Sequence, residues 1–278
     1  MLFRSAVWAG MIEKAAAGGG LGRSIFMSDF SGSMQWPDGA TPYWVSVALG
    51  ILGSQVCSGA FRGRLMTFDS TPTWHTFPAE ADLFGCLESM SERIGCGMST
   101  DFQAAMDLVL GTLKEQRVRP GEEPENLIVL TDMGWDEAAA SNGEGAYTGN
   151  TYSHVVKTAP WQTHVEMIQE AFRRAGEDMW GVGQGWQPPR IVIWNLATSY
   201  SSDHHARADV PGVAMLSGWS PTQFAMLQKE GPRQLTAYEM LRVELDDPQY
   251  DRVRAAVRGT AQTTEETANH ANGWGSPE

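Results

Sequence analysis

Asp29, Ser31 and Ser33 alternate along the run Asp-Phe-Ser-Gly-Ser, and Gly32 lets the backbone curl so that all three side chains can face one point. One carboxylate and two hydroxyls are hard oxygen donors. They suit magnesium or calcium, with manganese as a further option, and not zinc or copper, which prefer nitrogen or sulfur. By itself the triplet is equally what helix caps and turns are made of. Two later segments add donors: Gly97-Met98-Ser99-Thr100-Asp101 offers the Thr100 hydroxyl, and Leu130-Thr131-Asp132 offers the Asp132 carboxylate. Two carboxylates and three hydroxyls on three loops can build much of an octahedral shell, with water or a partner's oxygen completing it. The plainer alternative is that Ser31, Ser33 and Thr100 cap turns and that Asp132 caps the turn after it.

For these residues to meet, the chain must bring three loops to one edge, and its alternation of strands and helices predicts how. Residues 24–28 read as a short apolar strand ending at Asp29, and 127–131 as a strand buried on both faces and ending at Asp132. Further strands are expected over 64–68, 190–194 and 213–216, with 73–77 as an edge strand bracketed by Pro72 and Pro78. Helices are expected from Pro42 to about 58, and over 82–94, 101–116, 164–175, 221–228, 236–245 and 248–257. The pattern predicts an α/β fold with a doubly wound, mostly parallel sheet and helices on both faces. In such sheets ligands bind beyond the carboxyl ends of the strands, where strand order reverses. Residues 136–163, rich in Gly, Ser, Thr, Asn and Ala, form a connection long enough to point to function or disorder.

Other residues near these loops carry two readings each. Asp69 and Asp101 either hydrogen-bond to the metal ligands or are solvated loop carboxylates. Trp36 and Trp135 either rim a ligand surface or pack under loops. His204-His205, beside Asp203, reads as an exposed loop pair.

Composition narrows the partners. In 278 residues, 42% are hydrophobic and 19% charged, which fits a globular chain with a sizeable core. The formal charge of −13 repels phosphate backbones and anionic lipid heads but favours cations, so it argues against nucleic acid and membrane surfaces. Cys57, Cys86 and Cys96 form no CxxC pair and leave an odd count, which predicts a reducing, cytoplasmic setting. The uncharged run 39–61 contains Pro42, Ser46, Gly50, Gly53, Ser54 and Gln55, and reads as a helix buried in a core rather than a membrane span.

The set Asp29, Ser31, Ser33, Thr100 and Asp132, in this order and on these elements, resembles the metal-ion-dependent adhesion site of von Willebrand factor A (vWA) domains. More narrowly, five segments resemble an uncharacterised family of plant, fungal and giant-virus proteins distantly related to the Ro/TROVE proteins. These are Asp-Phe-Ser-Gly-Ser-Met (29–34), Val-Ser-Val-Ala-Leu-Gly (45–50), Gly-Met-Ser-Thr-Asp-Phe-Gln (97–103), Trp-Asn-Leu (194–196) and Leu-Ser-Gly-Trp-Ser (216–220). The resemblance covers roughly residues 22–258. It implies that Ser31 and Ser33 bind the metal directly, and that Thr100, Asp29 and Asp132 bind directly or through water. It also implies a vWA-like domain over 22–232, followed by C-terminal helices and a polar tail over 233–278. Residues 1–21 read as a short leader whose start is open to truncation or artefact. Family members usually carry a larger N-terminal region, and Leu2-Phe3-Arg4-Ser5 matches what the end of a common sequencing adapter encodes.

Three function classes follow. The first is a non-catalytic, magnesium-dependent module that grips an acidic side chain of a partner protein, with the 136–163 loop supplying specificity. The second is a metal-dependent phosphoryl-transfer or hydrolytic enzyme. Against it, the sequence has no GxxxxGK[ST] loop, no nucleophile elbow and no His near the three motif loops. The third is a ribonucleoprotein component, by analogy with the Ro relatives, against which the acidic balance argues.

Overall fold

A computed structural model of the chain describes residues 2–35, 41–68, 71–79, 81–90, 102–132, 161–196, 213–218, 221–231, 237–246 and 248–258. The chain divides into two units, Met1–Gln234 and Leu235–Glu278. The first holds six strands: β1 (Ser24–Asp29), β2 (Arg64–Phe68), β3 (Trp74–Thr76), β4 (Asn126–Thr131), β5 (Arg190–Asn195) and β6 (Val213–Ser217). Its helices are α1 (Leu2–Ala17), α2 (Thr41–Val56), α3 (Leu83–Met90), α4 (Phe102–Glu115), α5 (Trp161–Trp180) and α6 (Pro221–Glu230). In the second unit, α7 (Ala237–Leu245) precedes a 3-10 turn at Pro248–Tyr250 and a helical stretch over 251–258.

The strands form one sheet in the order β3-β2-β1-β4-β5-β6. All neighbours run parallel except the short edge strand β3, which lies antiparallel to β2. Order reverses between β1 and β4, so the crevice that a doubly wound sheet offers to ligands lies beyond Asp29 and Thr131. The fold is thus the α/β, Rossmann-like arrangement that the sequence predicts.

Side chains alternate along each central strand, and both sets are buried, as they must be in a sheet covered on two sides. Phe26, Leu65, Ile128, Val192 and Trp194 face one layer, where they join Trp8 and Ala15 of α1, Val47 and Ile51 of α2, Met90 of α3 and Phe224 of α6. Ile25, Met27, Met66, Val129 and Ile193 face the other, with Phe102, Met106 and Val109 of α4 and Phe172 of α5. The segment read as a short leader is therefore helical over Leu2–Ala17, and Trp8 donates its Nε1–H to Gln55 Oε1 at 3.2 Å.

The uncharged run becomes α2, which is buried in this core, and no helix among the described residues is long and apolar enough to cross a membrane. Its small residues are what let it press on the sheet. A Cβ on Gly53 would lie 2.2 Å from the Phe26 ring, and one on Gly50 would lie 2.6 Å from Ser28 Oγ. Ser28 Oγ also donates to the Ser46 carbonyl at 3.2 Å, which ties α2 to β1 one residue before Asp29.

One helix is longer than expected: the sequence predicts a helix over 164–175, whereas α5 spans Trp161–Trp180. Gly176 lies inside the helix because the chain returning to β5 crosses it: a Cβ there would be 2.4 Å from the Trp186 backbone nitrogen. Trp186, fully buried, donates its Nε1–H to the Val118 carbonyl at 3.0 Å and holds that crossing in place. The helix ends instead at Gly181, whose φ of +103° costs a glycine little. Its earlier start takes residues 161–163 out of the expected long connection and into the helix. The helix expected over 82–94 is seen as α3 to Met90, and the remainder lies outside the described residues.

Candidate metal centre at the carboxyl edge of the sheet

The loop after β1 is fixed by its apolar members. Phe30 is 2% exposed and Met34 is fully buried; both enter the core layer that includes α2, and the Phe30 ring meets Tyr43 edge-on at 5.9 Å between centroids. Between these two anchors the backbone turns through a 3-10 turn at Gly32–Gln35, with Met34 N–H donating to the Ser31 carbonyl at 3.2 Å. Anchoring on one side leaves Asp29 and Ser31 to the other.

Asp29 has no solvent exposure. Its Oδ1 accepts the Ser31 backbone N–H at 2.8 Å, and its Oδ2 accepts the Thr131 hydroxyl at 2.8 Å. Burial pushes its carboxyl up to about 6 from 3.8; the Ser31 and Thr131 hydrogen bonds pull the other way, and the negative charge of Asp132 adds to the rise. Desolvation outweighs the hydrogen bonds here because these donors are neutral. Among the described residues, no cationic side chain contributes to the acidity of Asp29.

The arrangement brings together Asp29, Ser31 and Asp132 from the expected set. Asp132 is half-buried and follows the last residue of β4. Ser33 is placed by its backbone in the 3-10 turn directly after Ser31, while its side chain lies outside the described residues. Thr100, Trp36, Trp135, Asp69 and Asp101 also lie outside them, as do His204, His205, Cys96 and 136–160 of the long connection. Among the described residues, no group of three or more His, Cys, Asp or Glu converges as a metal cage. The donors found here are two carboxylates with a hydroxyl, a set of oxygen chemistry that fits a hard divalent cation. Such an ion would offset both the burial of Asp29 and its repulsion by Asp132.

Thr131 is the residue of this centre that sequence reasoning passed over. It is fully buried, the last residue of β4, and on the same face of the sheet as Asp29. A signal was available in the sequence: Thr131 is the one polar side chain in the run Leu-Ile-Val-Leu-Thr, and it falls at the same end of its strand as Asp29 does. Asn195, 8% exposed and paired in register with Thr131, continues this polar end onto β5.

At the opposite, amino edge of the sheet a cavity of about 520 Å³ lies between the starts of β4, β5 and β6 and the helices α4 and α5. Its charged lining is engaged within the protein: Arg23 pairs with Glu125 and donates from Nε to the Glu123 carbonyl, while Glu123 accepts the backbone N–H groups of Gly121 and Gln187.

Comparison with known proteins gives a giant-virus relative and a family. Two solved structures align at low similarity. They are the Ro (RSR) protein of Deinococcus radiodurans (TM-score 0.39, 15% identity, 75% of this chain and 34% of that one) and proximal thread matrix protein 1 from the mussel byssus (TM-score 0.38, 12% identity, 76% and 46%). Uncharacterized protein L728 of Acanthamoeba polyphaga mimivirus is 29% identical over 198 residues, which is 69% of this chain. The aligned region spans only 28% of the viral protein's length. The family described as Domain of unknown function (DUF7788) matches residues 23–258, a span that takes in all six strands and the centre at their carboxyl edge, and the chain belongs to that family.

Proposed function

We propose that this chain is a non-catalytic binding module that holds a divalent cation, magnesium foremost and calcium or manganese as substitutes, between Asp29, Ser31, Ser33, Thr100 and Asp132. The metal grips an acidic side chain of a partner protein in a cytoplasmic setting. One observation carries the reading: Asp29 is buried without solvent contact beside a second carboxylate, at the strand-order reversal, and among the described residues the donors on its oxygens are neutral. A buried carboxylate beside a second negative charge costs free energy, which a bound cation offsets. The serine and threonine hydroxyls add no charge, so the metal retains affinity for an anionic ligand. The helix that follows β1 and the one that leads into β4 both start at this edge, and the positive ends of their dipoles favour the same ligand.

Isothermal titration with magnesium and with calcium, on wild type and Asp29→Ala, tests the reading. Magnesium binding that disappears in a folded Asp29→Ala variant supports it. Titrating the magnesium-loaded protein with acetate, as a minimal carboxylate, then tests the acidic ligand. Wild type that takes up neither cation overturns the metal centre, and with it the mode of gripping a partner.

A further inference from the structure

We infer that Thr131 is a positioning residue of this centre: its hydroxyl fixes the orientation of the Asp29 carboxylate and so sets the affinity for the cation. The inference rests on the metal-binding reading above, and adds to it a residue outside the adhesion-site set.

Three observations support the assignment. First, the bond itself is well formed and enclosed: Thr131 Oγ1 donates to Asp29 Oδ2 at 2.8 Å, and both residues are fully buried. A carboxylate only accepts, so the hydroxyl proton points at Asp29. Second, the two oxygens of Asp29 are held from two directions. The Ser31 N–H on Oδ1 comes from the residue's own loop, whereas the Thr131 hydroxyl on Oδ2 comes from the neighbouring strand, 102 residues away. Without the Thr131 bond the carboxylate keeps only the Ser31 contacts of its own loop, backbone and hydroxyl, and loses its tie to the neighbouring strand. That leaves more freedom about its last torsion, which is a broad one for Asp. Third, Thr131 is itself rigidly mounted. Its carbonyl accepts the Leu196 N–H at 2.8 Å, and it lies in register with Asn195 of β5, so the hydroxyl is presented from the interior of a paired sheet. The residue immediately after it, Asp132, is the second carboxylate of the centre. One strand end therefore supplies both a ligand and the group that aims the other ligand.

A hydroxyl that orients a metal-binding carboxylate behaves as outer partners of metal sites do, and removing such a partner typically weakens binding by about 10–100-fold. Thr131→Val keeps the side-chain shape and removes the donor; Thr131→Ser keeps the donor and loses a methyl group. Magnesium affinity is measured by isothermal titration on wild type, Asp29→Ala, Thr131→Val and Thr131→Ser, with urea unfolding in EDTA to confirm that each variant folds cooperatively. The expected result is a loss of about 10-fold or more in Thr131→Val, with Thr131→Ser within about 3-fold of wild type. A residue that served packing alone would give the opposite order, because the serine leaves a cavity and the valine does not. If Thr131→Val does not fold, Thr131→Ala replaces it in the comparison with Thr131→Ser.

Wild-type binding in both Thr131→Val and Thr131→Ser, with Asp29→Ala inactive, overturns the role of Thr131 and leaves the metal centre standing. Equal loss in both variants overturns it as well. Absence of binding in wild type removes the metal centre and this inference together, an outcome distinct from the other two.

Discussion

Asp29→Asn in the metal-free protein isolates the electrostatic cost of the centre. The amide has nearly the shape of the carboxylate, its oxygen can still accept the Ser31 N–H, and the Thr131 hydroxyl can turn to accept from its nitrogen. What is removed is a charge that burial disfavours. The native carboxyl holds its proton up to about pH 6, whereas the ordinary value, taken for the unfolded chain, is 3.8. Between those values the native state binds more protons than the unfolded state, so wild-type stability falls as pH rises through the window. Integrated to pH 7.5 the loss is about 3 kcal/mol, and at pH 4.0 it is only about 0.6 kcal/mol. The neutral amide escapes this loss. In EDTA at pH 7.5, Asp29→Asn is expected to be more stable than wild type by up to about 3 kcal/mol, with most of the gain gone at pH 4.0. With a urea slope of about 3 kcal/mol/M, the midpoint moves up by roughly 1 M. Tryptophan fluorescence during urea unfolding at the two pH values reads it directly. Magnesium at a hundredfold excess over its dissociation constant should then raise the wild-type curve by about 2.7 kcal/mol and leave the variant where it was. A variant that is no more stable than wild type at pH 7.5, or whose advantage is the same at both pH values, would refute the account of Asp29 as a buried charge that desolvation disfavours.

Two further predictions concern the scaffold. Gly53→Ala places a Cβ 2.2 Å from the Phe26 ring, so α2 or β1 must shift; a loss of about 1–3 kcal/mol by urea unfolding is expected, and a neutral substitution would show that α2 does not press on β1 this closely. Burial pushes the Cys57 thiol up to about 12, and burial with the neighbouring Asp82 charge pushes Cys86 up to about 11. Iodoacetamide at pH 8 should therefore spare both in the native protein and label both after unfolding, as read by peptide mass mapping; rapid native labelling of Cys57 would contradict its burial.

The strands were legible because each is a short apolar run between breakers, and doubly buried strands need no alternation to be recognised. Asp29 and Asp132 were legible for a related reason: a polar residue directly after such a run marks the strand's carboxyl end, where a parallel sheet keeps its ligands. The extent of α5 was not, because the close crossing of Gly176 by the Trp186 backbone depends on packing that residue spacing does not show. Thr131 was hidden by the strand's apolar character. Its role depends on which strand lies beside β4, and strand order is not written in the spacing of residues within either strand. Once the order β2-β1-β4-β5 is known, Asp29, Thr131 and Asn195 fall on one face at one edge.

That strand order also bears on how the protein is made. The centre joins Asp29 to Thr131 across 102 residues, and closing a loop of that length costs roughly 4 kcal/mol of chain entropy before any contact rewards it. Contacts of such sequence separation slow folding. During synthesis from the amino terminus, β1 emerges and waits while β2, β3, α3 and α4 are added, because its partner on the other side is β4. No amino-terminal fragment that stops short of β4 can contain the centre in any form. The paired carboxylates come into existence only with the β1–β4 ladder, so this candidate centre also marks a chain whose two halves of the sheet have been joined.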